Sequence, residues 1–268
     1  MTAPGLTPLR FALPPSKGNR FVHSAPQLLE LLLERSLPGF ETRVHSCPDY
    51  AMLTAEVLSH ASQVAWAPPI LCAKVENAGG LVVGRFERRG LGTYRAALVT
   101  SKQRPVALTP QVTGLRAVWV DPDSTAGYLL PRAHLHKLGI EPAHAFTSEE
   151  FAHSYELAGE AVAKGRADLT ALYSTPVQAA PQRTGLEDLT HGLKDKLQII
   201  AYTDEAPNDG IVVAPGLEPA TARTIRDRLL AVFSDPASSY VLKQVFNADA
   251  IAPVQPHAYD ALARLSGR

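Results

Sequence analysis

The chain has 268 residues, 46% of them hydrophobic and 19% charged, with 26 basic side chains balanced by 26 acidic ones. That length and apolar content suffice for one large domain or two smaller lobes with real cores. The zero net charge and pI near 7.1 remove the electrostatic case for nucleic acid or an anionic membrane surface as partner.

The 22 prolines imply short elements joined by stiff turns rather than a helical bundle. Cys47 and Cys72 form no motif, and buried free thiols are the expectation for both. No stretch approaches the apolar length of a transmembrane helix. The N-terminal run MTAPGLTPLRFALPPSKG lacks a basic region followed by an apolar core and a cleavage site. As it stands the sequence predicts a cytoplasmic protein, or a periplasmic one if a leader was removed.

In chain order, Leu9 to Leu13 predicts a first strand, and Pro14 to Asn19 a loop. Ala25 to Glu34 predicts a helix with a leucine face, capped by Ser24. Phe40 to His45 alternates like a strand, and Tyr50 to Ser59 reads as a second helix. Gln63 to Trp66, Gly80 to Arg85 and Tyr94 to Thr100 read as strands, with a basic, solvated turn at Arg88-Arg89-Gly90. Ser101 to Pro105 is polar and reads as a lobe crossing, and Thr109 to Leu115 as a short helical connection. Leu130 to Leu138 predicts a helix stopped by Gly139. Ser148 is expected to cap a long helix, Glu149 to Lys164, after a short strand or anchor at Phe146. Ala167 to Tyr173, Lys196 to Ala201 and Gly210 to Ala214 predict strands. Ala220 to Phe233, Pro236 to Val245 and a short tail segment predict helices. Strands and helices alternate throughout, which predicts an α/β fold with largely parallel sheets.

One stretch concentrates the chemistry. Val118 to Pro131 reads VWVDPDSTAGYLLP. A short apolar run breaks at Asp121-Pro122, and Asp123, Ser124 and Thr125 are all helix N-cap types. A strand that passes to a helix through small hydroxyl residues leaves backbone N–H groups aimed at one place. The helix dipole adds partial positive charge there, so an anion binds without a lysine or arginine. Taken alone, the stretch reads first as an ordinary capped helix, because capped helices are common and anion sites are not.

Five segments in order resemble one family, the substrate-binding proteins of phosphate, phosphite and phosphonate ABC transporters. They are the opening of the stretch just described, similar to a D-P-x-S-x-S-G-Y run; DYAML with VAWAPPILCAK; GTYRAALVT; FAHSYELAGEAVAKGRADLTAL; and AYTDEAPNDGIVVAPGL. The resemblance runs from about Leu9 to Leu262. It implies a type II periplasmic-binding-protein-like fold, α/β, with two lobes that close on a ligand in the cleft between them. The lobes implied are 1–102 with 201–268, and 103–200.

The resemblance also implies a site. Ser124 and Thr125 offer hydroxyls and backbone N–H groups to a phosphoryl or phosphonyl anion, and Ala126 a backbone N–H. Tyr50 and Tyr94 reach in from the first lobe as phenol donors. Asp204 accepts a hydrogen bond from a protonated ligand oxygen or an amine. Tyr155 stands where the family's G-S-H-E run carries histidine, and Ala126 where a third hydroxyl is usual. These departures favour a ligand larger or less charged than inorganic phosphate. The implied protein is a non-enzymatic monomer without cofactor or metal. Its partners are a small oxyanion and, if it is exported, an ABC permease; nucleic acid and membrane insertion are not expected.

The residues leave other readings open. Tyrosines such as Tyr50, Tyr94 and Tyr155 are more often packing residues than ligand donors, and Asp204 can cap a turn. The nine histidines form no convincing metal set, since His134 and His136 point to different helix faces. The same fold also serves cytoplasmic lyases or cofactor-biosynthesis enzymes, for which Asp204, Asp123 and Tyr155 are acid–base candidates. A sensing module with a degenerate pocket is a third reading.

Overall fold

A computed structural model describes residues 6–15, 24–179 and 181–265. The loop expected over Pro14 to Asn19 lies mostly outside the described residues. In chain order the first half runs β1 (Thr7–Leu13), α1 (Ala25–Ser36), β2 (Phe40–Ser46), α2 (Tyr50–Leu58), β3 (Val64–Ala67), α3 (Pro69–Asn77), β4 (Leu81–Glu87), β5 (Thr93–Ser101) and β6 (Leu115–Trp119). A π-helical turn, Thr125–Leu129, then runs directly into α4 (Leu130–Lys137). It is followed by α5 (Pro142–Ala145), β7 (Phe146–Phe151), α6 (Tyr155–Ala163), β8 (Thr170–Ser174), α7 (His191–Lys194) and β9 (Leu197–Tyr202). The last part is β10 (Ala206–Pro207), β11 (Gly210–Val213), α8 (Pro219–Ser234), α9 (Ser239–Phe246), β12 (Ala250–Ala252) and α10 (Asp260–Ala263).

The chain forms two compact units. The first is 1–92 with 207–263, and the second is 93–206 with 264–268. The division falls before β5 and after β9, not at 102 and 201. The reason is hydrogen bonding: β5 pairs antiparallel with both β8 and β9, so all three strands belong to the second unit. The polar turn Ser101 to Pro105 looks like a crossing by composition, yet it closes a local turn in which Arg104 N donates to Ser101 O.

The first unit is built on a six-stranded sheet in the order β12-β4-β11-β3-β1-β2. β1 is parallel to β2 and β3, whereas β11 is antiparallel to β3 and β4, and β12 to β4. The sheet is therefore mixed, not mostly parallel, because the returning chain inserts β11 into its centre in the opposite direction. Phe246 of α9 anchors the core beneath it. Its ring stacks on Phe86 at 4.7 Å and meets Trp66 at 5.4 Å, Phe233 at 5.5 Å and Phe11 at 6.4 Å. Polar ties close the rim. Arg88 donates through both terminal nitrogens to Asp209, at 2.7 and 3.0 Å, and Trp66 Nε1 donates to the same carboxylate.

In the second unit β5 is flanked by β8, β9 and β10, and β6 is parallel to β7. A parallel bridge between Ala117 and Leu169 joins the β6 pair to the approach of β8. Arg116 tightens this joint by donating to both oxygens of Asp168, at 2.8 and 3.0 Å. These contacts hold the Asp168 carboxyl below its usual range, chiefly through the Arg116 hydrogen bonds.

One element differs in kind from the sequence reading. Glu149 to Phe151 is strand, not the start of a helix, and the helix begins at Tyr155 with Ser154 as its cap. Pairing with β6 across the whole of Phe146–Phe151 outweighs the helical preference of Glu149-Glu150. Trp119 Nε1 also donates to Glu149 at 2.7 Å, which fixes that acid beside β6. The segment expected as a helical connection, 109–115, contains only a turn before β6.

Candidate anion-binding site

The C-terminal end of β6 and the helix that follows it form the candidate site. Ser124 has extended backbone and its Oγ accepts from Gly127 N at 3.2 Å, which caps the π-helical turn. Ser124 N is itself tied to Asp121 O, and Asp123 N donates to the Asp121 carboxylate at 2.9 Å. The turn is thus locked by its own short side chains. Helix geometry leaves the N–H groups of Thr125 and Ala126 without an acceptor inside the helix. Both residues are buried.

Thr125 is 2% exposed, and its Oγ1 makes no hydrogen bond. A hydroxyl buried without a partner costs about 1–3 kcal/mol. Thr42 and Thr170 also bury hydroxyls without a partner, but only Thr125 of the three stands at a helix start, where unpaired backbone N–H groups accompany it.

Gly127 makes this arrangement possible. A Cβ at Gly127 would lie 2.5 Å from the Val120 side chain and 2.7 Å from Ser124 Oγ. Gly127→Ala is therefore expected to destabilise the protein by about 1–3 kcal/mol through overpacking, against a helix-propensity gain of at most about 1 kcal/mol. A fall in the urea midpoint checks this, and an unchanged midpoint would mean that Ser124 and Val120 give way freely.

The pairing of β6 with β7 brings a second helix start to the same edge. Ala152 N donates to Trp119 O and His153 N to Val120 O, so the chain leaves β7 alongside the Asp121–Thr125 turn. His153 adopts a left-handed φ of 57°. Its Nδ1 lies 3.5 Å from Asp121 Oδ2. Burial raises the Asp121 carboxyl above its usual range, and the Asp123 amide and His153 oppose that rise. Ser154 caps α6, accepting from Leu157 N at 3.1 Å, and Tyr155 opens the helix with its ring edge-on to Tyr173 at 5.7 Å.

The antiparallel β5 delivers Tyr94 to this edge. Ala96 pairs with Tyr173 and Arg95 with Ser174, so the start of β5 lies at the C-terminal end of β8. Tyr94 thus belongs to the second unit together with Ser124, Thr125, Ala126 and Tyr155, not to the first lobe. Arg95, 7% exposed, stands on the opposite face of the strand, its guanidinium 3.8 Å above the Tyr202 ring.

Asp204 is not brought in. Its side chain is 74% exposed and pairs with Lys137 Nζ at 2.8 Å. Lys137 stands at the far end of α4, about 18 Å of helical rise from Thr125. The neighbouring Glu205 takes the inner position instead. Its carboxylate accepts from Thr93 Oγ1 at 2.7 Å and from Val177 N at 3.0 Å, beside Tyr94. Successive side chains of extended backbone point to opposite sides, so of two adjacent acids only one can turn inward. Sequence reasoning named the exposed member of the pair, and it also passed over the Asp121–His153 contact.

Tyr50 lies in the first unit. It opens α2 behind the Asp49 cap, whose carboxylate accepts from Met52 N at 2.7 Å, and it is buried.

The comparisons with known proteins agree with this architecture. The family model described as the periplasmic substrate-binding protein of phosphonate ABC transporters matches residues 11–259. Among solved structures, a Xanthomonas citri protein bound to ATP matches with a TM-score of 0.77 at 19% identity, covering 97% of this chain and 96% of that one. The binding-protein component of a Pseudomonas aeruginosa ABC phosphonate transporter matches with a TM-score of 0.76 at 19% identity, over 97% of this chain and 86% of that one. PhnD1 of Prochlorococcus marinus in complex with methylphosphonate matches with a TM-score of 0.76 at 15% identity, over 97% of each chain. At these identities the structural likeness is one of fold.

The fold is that of the type II periplasmic binding proteins, and the protein is a solute-binding protein. The chain belongs to the family of phosphonate ABC-transporter periplasmic substrate-binding proteins, a family of binding proteins and not of enzymes. Among the described residues no helix is long and apolar enough to cross a membrane.

Proposed function

We propose that the chain binds a phosphonyl or phosphoryl oxyanion at the helix end formed by Ser124, Thr125 and Ala126, and delivers it to an ABC permease. The buried, unpartnered hydroxyl of Thr125 carries this reading. Two oxygens of such an anion take the Thr125 hydroxyl with its amide and the Ala126 amide, and the helix dipole supplies the attraction. Tyr94 and Tyr155 stand on the same edge of the unit as further donors and walls. Glu205, in place of Asp204, is the carboxylate available to a ligand amine or a protonated oxygen. Family membership and the methylphosphonate complex of the Prochlorococcus marinus protein support the ligand class. The ATP complex of the Xanthomonas citri protein supports a broader phosphoryl class, and it suits a chain with Ala126 and Tyr155 where smaller ligands meet a hydroxyl and an imidazole.

A thermal-shift screen with methylphosphonate, 2-aminoethylphosphonate, phosphate, phosphite, ATP and sulfate tests the reading. A ligand at about a hundred times its Kd stabilises the folded state by about 2.7 kcal/mol. A chain of this size then melts about 2–4 °C higher for each kcal/mol gained. An upward shift with a phosphorus oxyanion and none with sulfate is expected. No shift with any phosphorus compound would rule out the site as proposed.

A further inference from the structure

A second cluster of ligand-type side chains lies in the first unit, remote in chemistry from the oxyanion site. His45 is the penultimate residue of β2, Cys47 follows it two residues on, and Glu56 lies on α2, which packs on the neighbouring strand β1. Residues two apart on extended chain face the same side, so His45 and Cys47 both look toward the helix that carries Glu56. A nitrogen, a sulfur and a carboxylate oxygen of the three all fall within 4.8 Å of one another. His45 Nε2 and Glu56 Oε2 are 2.8 Å apart.

We propose that His45, Cys47 and Glu56 form a binding site for a zinc-class divalent cation. The donor set is one imidazole, one thiolate and one carboxylate, which suits a borderline-soft metal over calcium or magnesium. Tetrahedral zinc with a metal–sulfur bond of about 2.3 Å and metal–nitrogen and metal–oxygen bonds of about 2.0–2.2 Å holds its ligand atoms about 3.3–3.6 Å apart. The three donors reach that spacing by opening the His45–Glu56 hydrogen bond by about half an ångström and closing the remaining gaps by about an ångström. Three protein ligands leave the fourth position to water.

The surroundings favour a cation. Glu56 and Asp49 both place negative charge on the thiol, and the exposed Arg10 opposes them only in part. Ser62 Oγ donates to Glu56 Oε2 at 2.6 Å, which orients the carboxylate as an outer-shell partner does in metal centres. Cys47 is buried at 2% exposed, whereas the His45 side chain at 29% leaves an approach from solvent. Burial, with Glu56 and Asp49, pushes the Cys47 thiol up to about 12, so the free site holds its proton. Binding exchanges that proton for the metal: the S–H bond breaks, the metal–sulfur bond forms, and one proton passes to solvent.

Cobalt(II), added alone to the purified full chain, tests the proposal. A near-ultraviolet thiolate-to-cobalt charge-transfer band that saturates at one equivalent, and is displaced by zinc, is expected. The band should vanish in Cys47→Ser. In Ser62→Ala, which keeps all three ligands, affinity should fall about 10–100-fold. Absence of the band from the wild-type chain overturns the site whatever the variants do. A band that survives Cys47→Ser in a chain with unchanged circular dichroism overturns it as well. The oxyanion reading is untouched by either result, because the thermal-shift screen uses no metal.

Discussion

The double variant Ser124→Ala with Thr125→Val is expected to lose nearly all oxyanion affinity. Each hydrogen bond to a charged group contributes about 1.5–3 kcal/mol. Losing one at Thr125 and disordering the amides that Ser124 positions removes about 3–6 kcal/mol, or about 10²–10⁴-fold in Kd. Titration calorimetry with whichever oxyanion raises the melting temperature checks this. The two substitutions should separate in their effect on the free protein. Ser124→Ala deletes a helix cap and is expected to lower stability by about 1 kcal/mol. Thr125→Val replaces a buried hydroxyl that has no partner with a methyl group of the same shape. It is expected to leave the free protein as stable as before, or more stable, while weakening binding about 10–100-fold. That opposition of stability and affinity is the signature of a group kept for its ligand. If Thr125→Val destabilises the free protein and binds normally, the hydroxyl is structural and the site lies elsewhere.

Phe246→Ala is expected to cost the first unit about 3–5 kcal/mol. The ring is fully buried and touches four other aromatic rings, those of Phe11, Trp66, Phe86 and Phe233. Neighbouring rings that support one another cannot collapse into the space left behind, so the cavity persists. Since whole domains are stable by only about 5–15 kcal/mol, the variant should unfold at a much lower urea concentration. A loss below about 1 kcal/mol would mean that α9 repacks against the sheet. Ser124 and Thr125 lie in the second unit, so the oxyanion binding proposed for them should survive wherever the variant is folded.

The sequence was legible where local chemistry decides structure. The leucine face of α1, the amphipathic α8 and the hydroxyl turn at Ser124-Thr125 could all be read from spacing and residue type. So could the family, because five short segments keep their order over most of the chain. Ser124 proved to be a cap, and the buried apolar run before it a strand, for reasons contained within a dozen residues.

What failed was whatever depends on a partner distant in sequence. Glu149 to Phe151 looks like the start of a helix by composition and is extended because β6 offers it a parallel edge. The unit boundary moved to 92 because β5 finds its partners at β8 and β9, some eighty and a hundred residues on. Asp204 and Glu205 are interchangeable acids on paper. Only the positions of Lys137, Thr93 and Val177 send the first outward and hold the second beside Tyr94. His45, Cys47 and Glu56 carry no spacing that marks them as a group, and packing of α2 on the strands brings them within one cluster. The sequence by itself determined most of the elements and the family, since these follow from residue type, short-range periodicity and the order of short segments. The tertiary structure decided strand direction, unit boundaries and which titratable groups meet, because each depends on contacts that no local pattern encodes.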